Sequence, residues 1–81
     1  MFLKRYVQSL ITMKVKVSRK PIEVFEGALV RHALLKYFAM KGWDVSEVDH
    51  LRVYDRWGHE IGLDAPASQH ETIKYRKIKT L

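Results

Sequence analysis

Residue types that could carry out catalysis are concentrated in one short segment of the chain. This segment contains Asp44, Ser46, Glu47, Asp49 and His50, which supply the carboxylate, hydroxyl and imidazole groups used in acid–base and serine–histidine chemistry. No oxyanion-forming or phosphate-binding loop motif accompanies them, and they occupy a short polar connector. We therefore interpret the segment as a solvated loop that caps a helix-like turn, and we expect neither catalytic residues nor enzyme activity.

Metal-binding residue types are present, but they do not have the spacing of a metal site. His32, His50, His59 and His70 are scattered, without the closely spaced pairs that zinc sites use. The chain contains no cysteine, which excludes disulfides, thiolate zinc sites, cysteine nucleophiles and cysteine-ligated iron–sulfur clusters. We expect no metal ion and no cofactor. The lack of cysteine also fits a reducing compartment, so we expect a cytoplasmic location.

Basic residues dominate the charge of the chain. Its 81 residues include 15 lysines and arginines against 9 aspartates and glutamates, a formal net charge of +6. Such a charge favours anionic partners, which could be nucleic acid, an acidic protein or an anionic membrane surface. A chain this small has one compact core and few apolar side chains left over to line a deep substrate cavity. No apolar run is long enough to span a membrane.

The first half of the chain predicts a hairpin followed by a helix. Residues 13–18 alternate strictly between apolar and polar types, and residues 22–25 resume a β-rich pattern after the basic turn 19–21. Apolar residues then recur at helical spacing over residues 28–41. Gly42 follows at the position of a left-handed helix cap. We therefore expect two strands and one amphipathic helix before residue 43.

The second half predicts a second hairpin and a last strand. Residues 43–49 form a polar connector, and residues 50–54 alternate as a third strand. A turn at Trp57 and Gly58 precedes a short fourth strand over residues 60–63, and a loop over residues 64–70 leads to a last strand over residues 72–76. Trp57 is either an exposed anchor for a partner or a side chain folded back on its own hairpin, and the second is the more common arrangement.

The strand-to-helix junction around Gly27 is similar to a turn of known proteins. Over residues 24–30 a β-rich strand passes through Glu26, Gly27 and Ala28 into the helix, which resembles the corresponding turn of small sulfur carriers and of TGS domains. The order of hairpin, helix, hairpin and last strand resembles the β-grasp fold of ubiquitin-like proteins. The resemblance implies an α+β domain over residues 13–81, with a mixed four- to five-stranded sheet packed on one helix. Residues 1–12 would then form an N-terminal arm that covers the sheet, docks on a partner or mediates self-association, unless the chain starts at Met13.

The end of the sequence departs from the sulfur-carrier pattern. Sulfur carriers and conjugated modifiers end in two glycines, because only glycine lets the tail thread closely through an adenylating enzyme. This chain ends with residues 78–81, Ile-Lys-Thr-Leu. A divergent sulfur carrier is therefore the least favoured of the functions that the resemblance suggests.

The resemblance also implies which side chains share a surface. In ubiquitin-like sheets the first strand pairs with the last at the centre, and the third strand lies beside the last. The side facing the helix would then carry Met13, Val15, Val17, Leu51, Val53, Ile73 and Tyr75. The opposite side would carry Lys14, Lys16, Arg52, Tyr54, Lys74 and Arg76. This second set contains five cations and no carboxylate.

Three interpretations of this basic surface remain open from the sequence. The leading hypothesis is a binding module or small accessory subunit that recognises an acidic protein surface. The alternative is a TGS-like RNA-binding module, in which the cations contact phosphates and Tyr54 stacks on a base. The third interpretation is that the lysines only keep an exposed sheet soluble and discourage edge pairing.

Overall fold

The structure is a computed structural model that describes residues 12–78. It contains five strands: β1 (Thr12–Val17), β2 (Lys20–Phe25), β3 (Leu51–Tyr54), β4 (Glu60–Ile61) and β5 (Thr72–Lys77). One α-helix, α1 (Val30–Lys41), follows the first hairpin, and two short 3₁₀ helices span Val45–His50 and Ala67–Gln69. The N-terminal arm expected over residues 1–12 lies outside the described residues, except for Thr12, which begins β1.

The strands form one mixed sheet in the order β2-β1-β5-β3-β4. The central neighbours β1 and β5 are parallel, and every other neighbouring pair is antiparallel. This arrangement confirms the predicted α+β class, the pairing of the first strand with the last, and the position of the third strand beside the last. A mixed five-stranded sheet packed on one main helix is compatible with the β-grasp fold.

The first hairpin is tighter than the sequence predicted. Only Ser18 and Arg19 connect β1 to β2, with φ angles of 50° and 72°, as expected for a two-residue turn whose twist matches the flanking strands. Strand β2 therefore already begins at Lys20, and Pro21 lies inside it, opposite Lys16. Because β2 is an edge strand, the missing N–H of Pro21 costs no hydrogen bond within the sheet.

Helix α1 begins two residues later than the sequence predicted. Leu29 is extended, with φ −93° and ψ 165°, because it forms an isolated bridge with Pro66. Its backbone N–H donates to Nδ1 of His32 at 2.9 Å, which satisfies one donor of the first turn. At the other end Gly42 adopts φ 75°, and its N–H donates to the carbonyl of Ala39 at 3.1 Å. This confirms the left-handed cap expected after Lys41.

The core lies between the sheet and α1. The sheet contributes the buried side chains of Val15, Val17, Val53 and Ile73, and the helix contributes those of Val30, Ala33, Leu34, Tyr37 and Phe38. Val48, in the connector, is fully buried beneath them. Met13 and Tyr75 lie on the helix side of the sheet, as predicted, where they are partly buried and pack against the core. Among residues 12–78 no helix is long and apolar enough to cross a membrane.

Candidate binding face

The sheet has an outer face, the side away from α1, and it carries all six residues of the predicted basic surface. These residues are Lys14 and Lys16 on β1, Arg52 and Tyr54 on β3, and Lys74 and Arg76 on β5. Five of them lie one position from a buried residue of their strand, such as Val15, Val53 or Ile73, and Arg76 follows the partly buried Tyr75. Alternate residues of a strand point to opposite sides. The five cations are exposed, and Tyr54 is half-buried.

The register of the strands arranges these residues as a diagonal stripe. Arg52 pairs with Arg76 and Tyr54 pairs with Lys74 between β3 and β5. Strands β1 and β5 share only two pairs, one of which joins Lys16 to Thr72. The β1 lysines therefore lie toward one end of the outer face and the two arginines toward the other. At about 3.3 Å per residue along a strand, the stripe is about 20 Å long from Lys14 to the arginines.

The cations of the stripe differ from Arg31, Arg56 and Lys77, which form ion pairs with carboxylates of the chain. Within residues 12–78 none of the five forms an ion pair, whereas Arg31 pairs with both Asp49 and Asp64. Arg56 lies 3.6 Å from Glu71, and Lys77 lies 3.6 Å from Glu47. The pairing of Arg52 directly opposite Arg76 is unfavourable, because like charges at cross-strand positions repel. Cations on this face therefore contribute little to holding the fold together.

Two carboxylates border the stripe on the edge strands. Glu23 on β2 lies opposite Lys14, and Glu60 on β4 lies opposite Tyr54, so both belong to the outer face. Glu23 accepts a hydrogen bond from Oγ1 of Thr12 at 2.6 Å. The sequence prediction missed these residues because it projected only three strands. The alternation of Glu23 with the buried Ile22 and Val24 was the signal that could have placed it.

Two shallow depressions lie side by side on the outer face and share Tyr54 and Arg76. One, of about 350 Å³, is also lined by Gly58, Lys74 and Tyr75. The other, of about 410 Å³, is also lined by Arg52, Lys77 and Ile78. Both are open to solvent, so they fit side chains of a macromolecular partner better than an enclosed small molecule.

A hydrogen-bonded turn exposes Trp57 next to Gly58, which lines one of these depressions. Oδ1 of Asp55 accepts hydrogen bonds from the backbone N–H groups of Trp57 and His59, both at 2.9 Å. Burial of Asp55 raises the pKa of its carboxyl group, but these two hydrogen bonds together with the nearby His59 and His70 outweigh it, and the pKa lies below its ordinary value. Trp57 is 72% exposed, with the Arg56 guanidinium 5.3 Å from its ring centroid. Its side chain does not fold back on its own hairpin, although folding back is the more common arrangement for such a tryptophan.

Polar side chains of residues 44–50 make structural contacts within the chain. Oδ1 of Asp44 accepts hydrogen bonds from the N–H of Ser46 at 3.0 Å and from its hydroxyl at 2.7 Å, which confirms the predicted capping role. Glu47 and Asp49 form the ion pairs with Lys77 and Arg31. In the part of the chain that the structure describes, no three histidines or carboxylates cluster closely enough to hold a metal ion.

Comparison of the chain with models of known protein families and with curated proteins finds no match. The geometry of the outer face is therefore the basis for a functional assignment.

Proposed function

We propose that this chain is a non-catalytic binding module of the β-grasp type, an adaptor or small accessory subunit that recognises an acidic protein surface through its outer face. The observation that carries the proposal is the stripe of five exposed cations that lack ion pairs within residues 12–78. Of the other seven lysines and arginines in residues 12–78, Arg31, Arg56 and Lys77 pair with carboxylates of the chain. Because Arg52 and Arg76 lie opposite each other on this face, the face is suited to bind an anionic group of a partner.

The aromatic residues of this region favour a protein as that partner. Trp, Tyr and Arg are the residue types that most often dominate the energy of protein interfaces. Here Tyr54 lies within the stripe, and Gly58, next to Trp57, lines the same depression as Tyr54 and Lys74. Half-burial of Tyr54 limits the ring surface that a nucleic-acid base could stack on. RNA binding by the same face is the competing outcome that the experiment must distinguish.

Capture of partners from a lysate, with and without nuclease, tests the proposal. The reversed variant is Lys74→Glu/Arg76→Glu, and its matched control is Lys20→Glu/Lys41→Glu, which changes the net charge equally. Lys41 is exposed on α1, and Lys20 pairs with the buried Val17, so both control residues lie on the helix side of the sheet. Circular dichroism and thermal unfolding establish that each variant is folded.

We expect the wild type and the control to capture a nuclease-resistant protein that the reversed variant does not capture. The purified partner should then bind stoichiometrically, and salt should weaken binding because exposed charges are screened. Capture that is unchanged by the reversal would show that the outer face is not the binding surface. Capture that nuclease abolishes would assign the face to RNA instead.

A further inference from the structure

The outer face has a regular spacing in addition to its charge. Successive rows of the stripe contain Lys14, then Lys16, then Lys74 beside Tyr54, then Arg76 beside Arg52. Each row lies two residues along the strands from the previous one, because Lys16 is level with Thr72. At about 3.3–3.4 Å per residue the rows are about 6.7 Å apart. The cations therefore form a ladder with an even repeat.

This repeat matches an extended polypeptide. Every second side chain of an extended segment points to the same side, and these side chains are also about 6.7 Å apart. A helix repeats one face about every 5.4 Å, so over the three steps of the stripe it would accumulate a mismatch of about 4 Å. From β1 to β5 and β3 the stripe shifts sideways by one to two strand spacings, so it is inclined to the strands by roughly 15–25°. This angle is close to the angle of about 30° between the strands of two packed sheets.

The bordering carboxylates define where such a segment can lie. Glu23 and Glu60 repel an acidic ligand from the two edge strands, which leaves the central stripe as the favourable path. At its end, the row of Arg52 and Arg76 can hold a carboxylate through two parallel hydrogen bonds from one guanidinium. The lysine rows contribute only point charges.

We infer that the outer face binds an extended segment of its partner with acidic residues at every second position, four of them across seven residues. This inference rests on the proposed function and names the form of the acidic ligand. One carboxylate faces each row of the stripe, and the intervening side chains point away from the sheet.

Two capped, fluorescein-labelled peptides of identical composition test the inference with the full chain. In one, four glutamates alternate with three threonines. In the other, the four glutamates precede the three threonines, so that an extended conformation presents only two of them to one side. Fluorescence anisotropy gives the affinity of each peptide for the wild type, for Lys74→Glu and for the matched control Lys20→Glu. An oligouridine with four phosphates is measured in parallel.

We expect the alternating peptide to bind about fivefold tighter than its isomer, since two more exposed ion pairs form. Lys74→Glu should remove this preference, and Lys20→Glu should keep it. Equal affinities that still depend on Lys74 would overturn the inference and leave the proposed function standing. Absence of binding by both peptides would also overturn it, and the lysate experiment would then decide the proposed function separately. Tighter binding of oligouridine than of the alternating peptide would assign the stripe to RNA.

Discussion

The two sides of the sheet use their charges differently. On the helix side Arg31 joins α1 to the segment before β3 and to the loop after β4, through Asp49 and Asp64. Lys41 lies 5.8 Å from the ring centroids of Tyr37 and Trp43. On the outer face five cations have no ion pair within residues 12–78, and two of them directly oppose each other. The helix side therefore stabilises the fold, whereas the outer face exposes charge that the fold does not need.

The largest expected effect is on the helix side, at Phe38. Its ring is fully buried and makes edge contacts with Trp43 and Tyr75, at centroid distances of 5.3 and 5.7 Å. Phe38→Ala should lower the free energy of unfolding by about 3–5 kcal/mol, because it leaves a cavity in the core. Lys74→Ala on the outer face should change it by less than about 0.5 kcal/mol.

Urea denaturation followed by circular dichroism measures both changes. Phe38→Ala can remove most of the stability of a domain this small. Phe38→Leu, which should lower the free energy of unfolding less and stay folded, therefore serves as the reference. If Lys74→Ala lowered the free energy of unfolding as much as Phe38→Leu does, the contrast between the two sides would be contradicted.

Single arginine substitutions on the two sides should change stability in opposite directions, and by less than Phe38→Ala does. Arg31→Gln should lower the midpoint of unfolding, since it removes the contacts with Asp49 and Asp64. Arg52→Gln should raise the free energy of unfolding by about 0.2–1 kcal/mol, since it relieves the repulsion from Arg76. Thermal unfolding at low and at 1 M salt measures both, and high salt should shrink the gain for Arg52→Gln. A loss of stability for Arg52→Gln at low salt would show that Arg52 supports the fold.

The smallest effect concerns the turn that presents Trp57. The pKa of Asp55 is lowered in the folded chain, since hydrogen bonds from the N–H groups of His59 and Trp57, together with the nearby His59 and His70 side chains, outweigh its burial. Its carboxylate therefore stabilises the fold above the unfolded-state pKa of about 3.9, and this contribution is lost as the pH falls through the folded-state pKa.

Comparison of the wild type with Asp55→Asn at several pH values tests this contribution. The wild type should have the higher urea midpoint at pH 7, and the difference should shrink below about pH 4. Glu26→Gln, at an exposed carboxylate of the turn after β2, serves as the control. A difference that is independent of pH down to pH 2 would show that the charge of Asp55 does not stabilise the turn.

Sequence periodicity, combined with the expected strand order, predicted the order of elements, the buried face of α1 and the six residues of the basic surface, but it missed Glu23 and Glu60 on the same face. It could not predict the offset between β1 and β5, because shifting a strand by two residues leaves the same side chains on each face. The exposure of Trp57 depends on hydrogen bonds from Asp55, and the start of α1 depends on the bridge between Leu29 and Pro66. These contacts join specific atoms, some of them far apart in sequence, and alternation of residue types does not encode them.

The affinity of the purified partner for matched charge variants tests the central claim most directly. Titration calorimetry would compare the wild type with Lys74→Glu/Arg76→Glu on the outer face and with Lys20→Glu/Lys41→Glu on the helix side. We expect the outer-face variant to bind at least about tenfold more weakly, a loss of about 1.4 kcal/mol, while its melting temperature stays at or above that of the control, in which Lys41→Glu removes contacts with Tyr37 and Trp43. Equal weakening by both variants would contradict the account, because the partner would then respond to net charge and not to the stripe.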